Sequence, residues 1–237
     1  MTSLAEICGH TFYLPALGMD SIVIDLGAST AAFSHGVQAL SGCRCHCVEA
    51  AKRNFQAIKE TDHVRKHFAA MGGVDASVTL NIVDDEFHWG SLEAPSGFDV
   101  TELQEVPGRT LAGLFAELDV EVVDLLKVDI EGAEIALIDA ADDATLRRCC
   151  QMTIEFHDFL NPGYTADVKR QLDRFEDLGF DCVVMTRRHH GDVWIVNRAV
   201  LGLSSAELIY YRTALKYGRG LRRMLARTLG CTVERVA

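Results

Sequence analysis

Four stretches of the chain hold residue types whose spacing can do chemistry. The densest is LLKVDIEGAEIALI, residues 125–138. Lys127 and Asp129 share one face of a strand by its period of two, and Asp129 falls at the strand's end. Glu131 and Glu134 flank Gly132 and Ala133 at a helix start, three residues apart and so on one face. A helix N-terminus favours carboxylates there. Charge inside an otherwise apolar strand is costly unless it is used, which makes Lys127 and Asp129 functional candidates. The second stretch is IEFHDF, residues 154–159. Glu155 and His157 are expected on one strand face near its carboxyl end, with His157 as a general base oriented by Glu155 or Asp129. The same three groups, Asp129, Glu155 and His157, are the candidate ligands if a divalent metal such as magnesium is used.

The third stretch, VIDLGAST at 23–30, runs an apolar strand into Asp25, Gly27 and two small residues, Ala28 and Ser29. Ligands of open α/β sheets bind at the carboxyl ends of strands, and Gly27 permits close backbone approach to one. Asp25 can accept hydrogen bonds from a cationic amine or fix the loop. The glycine-rich dinucleotide fingerprint GxGxxG is missing, which argues against a pyrophosphate cradle and a nicotinamide oxidoreductase. The fourth element is Glu49, ending the second strand 24 residues after Asp25. Its two oxygens match the vicinal hydroxyls of a ribose. Asp84 and Asp85, expected at the end of a third strand, are candidates to receive an adenine amino group.

The elements that must position these groups follow from periodicity. Apolar strands are expected at 21–26, 43–49, 78–84, 120–130 and 152–159, alternating with helices at 30–40, 51–60, 110–118, from about 132, and 165–178. Residues 98–106 suggest an extra strand, and 182–186 with 192–196 a closing hairpin. Alternating strands and helices imply an α/β doubly wound, Rossmann-like sheet. Ser204 and Glu207 form a capping-box signature at the start of a C-terminal helix. The expected organisation is one domain over 1–203, with 1–20 as an N-terminal extension, and a basic helical tail over 204–237 docked on it.

Composition bounds the class. The chain has 237 residues, 49% of them apolar and 24% charged, which is globular. The net charge is −11, but residues 198–237 hold eight Lys/Arg against Glu207 and Glu234. The remaining body is therefore acidic, which argues against wrapping a nucleic-acid backbone. Residues 1–20 lack the pattern of a secretory signal, and no apolar run has membrane-spanning length, so a cytoplasmic protein is expected. Of eight cysteines, Cys43, Cys45 and Cys47 alternate on one strand face and are expected as reduced core residues, with His46 on the other face.

Together these stretches resemble the FkbM-type methyltransferases. The resemblance runs from about residue 21 to 160 and is carried by VIDLGASTAAFS, VEA, TLAGLFAEL, DLLKVDIEGAEIALI and TIEFHDF. The family pattern KxDxEGxE is met in full by Lys127, Asp129, Glu131, Gly132 and Glu134. Its DxGANxGxxS is met at Asp25, Gly27, Ala28 and Ser34, while Ser29 stands for Asn and Ala31 for Gly. The resemblance implies a class I methyltransferase sheet and S-adenosylmethionine as cofactor, held by Asp25, Gly27, Ala28, Ser29, Ser34, Glu49 and Asp84. It also implies O-methylation of a small-molecule acceptor, a sugar or natural-product hydroxyl. Lys127, Glu131 and Glu134 are the residues expected toward the substrate, and a homodimer is one assembly the basic tail would allow. The competing expectation is a non-catalytic nucleotide- or partner-binding protein.

Overall fold

The computed structural model describes residues 4–83, 89–93, 97–186 and 189–215. Asp84 and Asp85, and the tail beyond 215, lie outside them. The chain opens with a hairpin, β1 (Leu4–Ile7) and β2 (His10–Tyr13). Its two-residue turn, Cys8-Gly9, holds both residues at positive φ, as a turn matched to strand twist requires. Next come β3 (Ile22–Leu26), α1 (Ala32–Ser41), β4 (Arg44–Glu49), α2 (Lys52–Ala57) and β5 (Val64–Phe68). An excursion follows with β6 (Ala70–Met71), β7 (Ser77–Val83), β8 (Trp89–Ser91) and β9 (Glu102–Arg109). The chain then returns through α3 (Leu111–Glu117), β10 (Leu125–Val128), α4 (Glu134–Ala140), α5 (Asp143–Leu146) and β11 (Gln151–Ile154). It ends with α6 (Thr165–Asp177), β12 (Asp181–Val184), β13 (Val193–Val196), α7 (Arg198–Leu201) and α8 (Ser205–Tyr210).

The main sheet has seven strands in the order β12-β13-β11-β10-β3-β4-β5. The five from β11 to β5 are parallel, and β13 is antiparallel to both its neighbours. This is a doubly wound, Rossmann-like sheet. Its order reverses between β3 and β10, so a crevice opens at their carboxyl ends. Both central strands are apolar and buried because helices cover both faces. One face packs Ile24, Leu26, Leu126 and Val128 with Leu114, Phe115 and Leu137. The other packs Val23, Cys43, Cys45, Cys47 and Leu125 with Val37. The cysteine triplet is thus core, and His46 on the opposite face meets His67 at 3.1 Å. The seven cysteines among the described residues are free thiols.

One strand expectation is corrected. Residues 78–84 do not extend the main sheet. Residues 78–83 of that stretch belong to β7, in a separate four-stranded sheet of order β6-β9-β7-β8. The third parallel strand is β5, VRKHF, whose Arg65 is exposed. Edge strands tolerate such charge, so β5 lacks the apolar run that marks a central strand. The separate sheet stands over the crevice and supplies Leu80, Trp89 and Gly90 to its wall. At the other end, the Ser204–Glu207 capping box is formed, and Leu208 and Tyr211 pack with Trp194 and Val196. Among the described residues no helix is long and apolar enough to cross a membrane.

The turn after β3 is the tightest constraint in the crevice. Gly27 has φ +73°, and a Cβ there would stand 1.7 Å from the Asp129 carbonyl oxygen. Glycine is therefore required by the neighbouring strand's backbone rather than by a ligand. Ser29 and Ala31 also sit at positive φ, 50° and 63°. These are the two positions where the family pattern has Asn and Gly, the residues that adopt this conformation most cheaply. Gly27→Ala is expected to destabilise the fold by about 3 kcal/mol or more. Ala31→Gly is expected to stabilise it by about 1 kcal/mol. Urea denaturation followed by circular dichroism checks both.

Candidate functional site

Strand register builds the centre of the site. Asp25 on β3 pairs directly with Lys127 on β10, and Lys127 in turn with Thr153 on β11. Cys47 on β4 continues the row on the other side of Asp25. The Lys127 ammonium lies 3.1 Å from Asp25 Oδ1 and 3.5 Å from Asp129 Oδ2. It also donates to the carbonyls of Gly27 at 2.7 Å and Leu26 at 3.3 Å. Burial works against this charge, but Asp25 and Asp129 outweigh it and hold the lysine above its ordinary pKa. Asp25 is fully buried, and its other oxygen accepts from Ser34 Oγ at 2.8 Å. Cys47 Sγ donates to Ser34 Oγ at 3.1 Å.

Asp25, Ser34 and Lys127 are buried within the protein, where their mutual contacts fix the turn after β3. Ala28 is likewise buried. Glu134, expected toward the substrate, is 2% exposed, and its Oε1 accepts from the backbone N–H of Ile130 and Gly132, both at 3.1 Å. It is the brace of the loop between β10 and α4, where Glu131 is held at φ 54°.

The residues that do face solvent-filled space are Gly27, Ser29, Glu49, Asp129 and Glu131. They line a cleft of about 270 Å³ at the switch point, walled on its apolar side by Met71, Leu80 and Leu92. Glu49 closes one end. Its oxygens accept from the backbone N–H of Ser29 and of Ala51, each at 2.7 Å. Burial pushes the Glu49 carboxyl up to about 7, although these two hydrogen bonds oppose the shift. A second cleft of about 310 Å³ adjoins the first, with Trp89 and Glu131 lining both.

Between the strand ends, carboxylates and histidines interlock. Glu155 and His157 lie just past the end of β11, not within it. His157 Nδ1 meets Glu134 Oε1 at 3.0 Å, and Nε2 meets Glu131 Oε2 at 3.2 Å and Asp129 Oδ1 at 3.7 Å. Burial opposes its charge, but Glu131 and Glu134 prevail and raise the imidazole to about 11. His157 is thereby held between Glu131 and Glu134 in its cationic form, which favours a clamp over the expected base. Burial and the Asp129 charge instead raise Glu155 to about 7. Burial also pushes Asp129 up, but Lys127, His10 and His157 overcome this and hold it below the ordinary carboxylate range.

His10 is the residue that sequence reasoning missed. It is buried on β2, with Nε2 at 3.5 Å from Asp129 Oδ2 and Nδ1 at 3.4 Å from Thr153 Oγ1. The signal was present in Cys8-Gly9, a hairpin turn between two short apolar runs. His10, Asp129 and Glu155 bring one ligand atom each within 4.8 Å, as do Asp129, Glu131 and His157. The set expected for a divalent ion is thus divided between two groups that share Asp129. Asp129 Oδ2 already faces Lys127 and His10, so an ion at that oxygen competes with a buried ammonium.

Comparison with known proteins follows this geometry. Residues 25–182 match the model of the methyltransferase FkbM domain. No curated protein matches the chain. Among solved structures, methyltransferase FkbM from Methylobacillus flagellatus KT superposes with a TM-score of 0.49 at 14% identity, covering 76% of this chain. The chain spans 44% of the length of that protein. Precorrin-6y C5,15-methyltransferase from Geobacter metallireducens GS-15 gives 0.40 at 16% identity, over 77% of this chain and 82% of that one. Aeropyrum pernix fibrillarin, a structure with natively bound S-adenosyl-L-methionine, gives 0.43 at 14% identity, over 76% and 67%.

Lys127→Met is expected to cost about 3–5 kcal/mol, because it strands Asp25 as a buried charge. The double variant Asp25→Asn/Lys127→Met is expected to recover part of that loss. Denaturant titrations of the two variants and the wild type measure the difference.

Proposed function

The chain belongs to the FkbM methyltransferase family, and from that premise we propose that it transfers a methyl group from S-adenosylmethionine to a hydroxyl of a small-molecule acceptor, a sugar or natural product, with Glu155 as the base. The observation that carries this reading is the split between two neighbouring carboxylates at the strand ends. Asp129 is held ionised and Glu155 is poised near neutrality. Carboxyls whose environments push their proton affinities apart are suited to different tasks in one reaction.

The cofactor fits the first cleft by its donor chemistry. Each Glu49 oxygen has one backbone donor and keeps a lone pair for a ribose hydroxyl. The apolar wall suits an adenine, and Asp129 and Glu131 set negative charge at the end where a sulfonium is favoured. When bound, S-adenosylmethionine supplies a methyl group activated by a positively charged sulfur. The protein's part is to align an acceptor oxygen in line with that methyl at about 3–3.5 Å and to take the hydroxyl proton. That proton leaves through Asp129, which lines the first cleft, to Glu155, whose carboxylate lies within 4.8 Å of it. His157, gripped by Glu131 and Glu134, holds the loop that carries Glu131. His10 and Lys127 keep Asp129 charged. This route needs no metal ion, so turnover is expected to persist in chelator and to be unchanged by added magnesium.

Calorimetric titration with S-adenosylmethionine is expected to give micromolar affinity, weakened about tenfold or more in Glu49→Gln through a lost charge-assisted hydrogen bond. Absence of binding by the wild-type protein would remove the reading in favour of a partner-binding role. Because a base works in its ionised form, kcat is expected to rise with pH through about 7 as Glu155 loses its proton. In Glu155→Gln that limb should vanish and kcat fall by about 10²–10⁴.

A further inference from the structure

We infer that the second cleft is the acceptor site and that it selects a hydroxyl-bearing ring carrying a protonated amine. The inference rests on the methyl-transfer reading. Position is the first argument. The cleft shares Trp89 and Glu131 with the proposed cofactor cleft, so a molecule within it abuts the end where Asp129 and Glu131 lie.

Shape is the second argument. Trp89 and Phe98 meet edge to face, with centroids 5.1 Å apart and an angle of 86°. Both line the cleft, and Tyr164 adds a third ring. Such surfaces bind the apolar face of a ring and leave its hydroxyls to polar neighbours, here Asn161 and the carboxylates. Charge is the third argument and decides the class. Glu93 and Glu131 line the cleft, and no lysine or arginine does so among its described lining residues. The His157 proton is committed to Glu131 and Glu134. Tyr164 Oη donates to Glu93 Oε2 at 2.7 Å, which pins that carboxylate at the cleft wall. A phosphate or carboxylate on the acceptor would meet like charge without a partner. An ammonium would meet a fixed carboxylate and aromatic faces that favour cations.

The test uses the full chain saturated with S-adenosylhomocysteine, whose binding is first measured by calorimetry. Three probes are then titrated: methyl α-glucosaminide, methyl α-glucoside and glucose 6-phosphate. Tryptophan fluorescence is the readout, because Trp89 lines the cleft while the other tryptophan, Trp194, is fully buried. The expected order of affinity is amine, then neutral glycoside, then phosphate, with the amine favoured about tenfold through a charge-assisted contact. Glu93→Gln should erase the amine's advantage, with the neutral glycoside as its internal reference. Equal or tighter binding of the neutral or phosphorylated probe overturns the inference, as does an amine preference that survives in Glu93→Gln or the failure of all three probes to bind. Failure of S-adenosylhomocysteine to bind overturns the methyl-transfer reading itself, and is seen in the first titration.

Discussion

A buried ammonium holds the centre of this protein together. Lys127 sits in the middle of a parallel sheet, where an unpaired charge is prohibitively costly, and every partner it uses belongs to the site. Asp25 and the carbonyls of Leu26 and Gly27 tie it to the turn after β3. Asp129 ties it to the end of its own strand. The lysine therefore welds the two strand ends that border the crevice. Gly27 belongs to the same weld, because only a residue without Cβ lets that turn lie against the Asp129 carbonyl. Strained φ values at Ser29, Ala31 and Glu131 surround this point. Such conformations persist where packing and hydrogen bonds over-determine them.

Around the weld the site separates its charges by burial and partner. Asp129 faces Lys127, His10 and His157, which hold it below the ordinary carboxylate range. Glu155 has Asp129 beside it and is pushed up by burial. Glu131 and Glu134 share the His157 ring, which fixes the loop between them. Two carboxyls of the same chemical type thus reach different protonation behaviour within a few ångströms, set by burial and neighbours.

Two additions to the doubly wound sheet complete the site, and they come from opposite sides. The hairpin β1–β2 precedes the family-matched region and delivers His10 to Asp129 and Thr153. The small sheet β6–β9 is inserted after β5 and brings Trp89 over the crevice, where it separates the two clefts. The parallel core thus supplies charge and backbone, while the additions supply a histidine and aromatic walls. Loops and insertions at strand ends are where such folds acquire specificity.

The sequence by itself determined the α/β class and four of the five parallel strands, because apolar β-branched runs alternating with helical periods mark them. It also determined that Lys127 and Asp129 share a face, that the cysteine triplet is core, and that Glu49 ends a strand, since each follows from local periodicity. It misplaced the third strand, because an edge strand such as β5 carries charge and lacks the apolar run. It left His10 unread in a four-residue strand. The roles within the site were decided only by tertiary structure. That Asp25 is a structural counter-ion depends on register between strands a hundred residues apart. The opposite pulls on His157 and Glu155, both raised, depend on which carboxylates crowd each of them and how deeply each is buried. Periodicity fixes the face a side chain takes; its protonation state is set by neighbours that only the folded chain brings together.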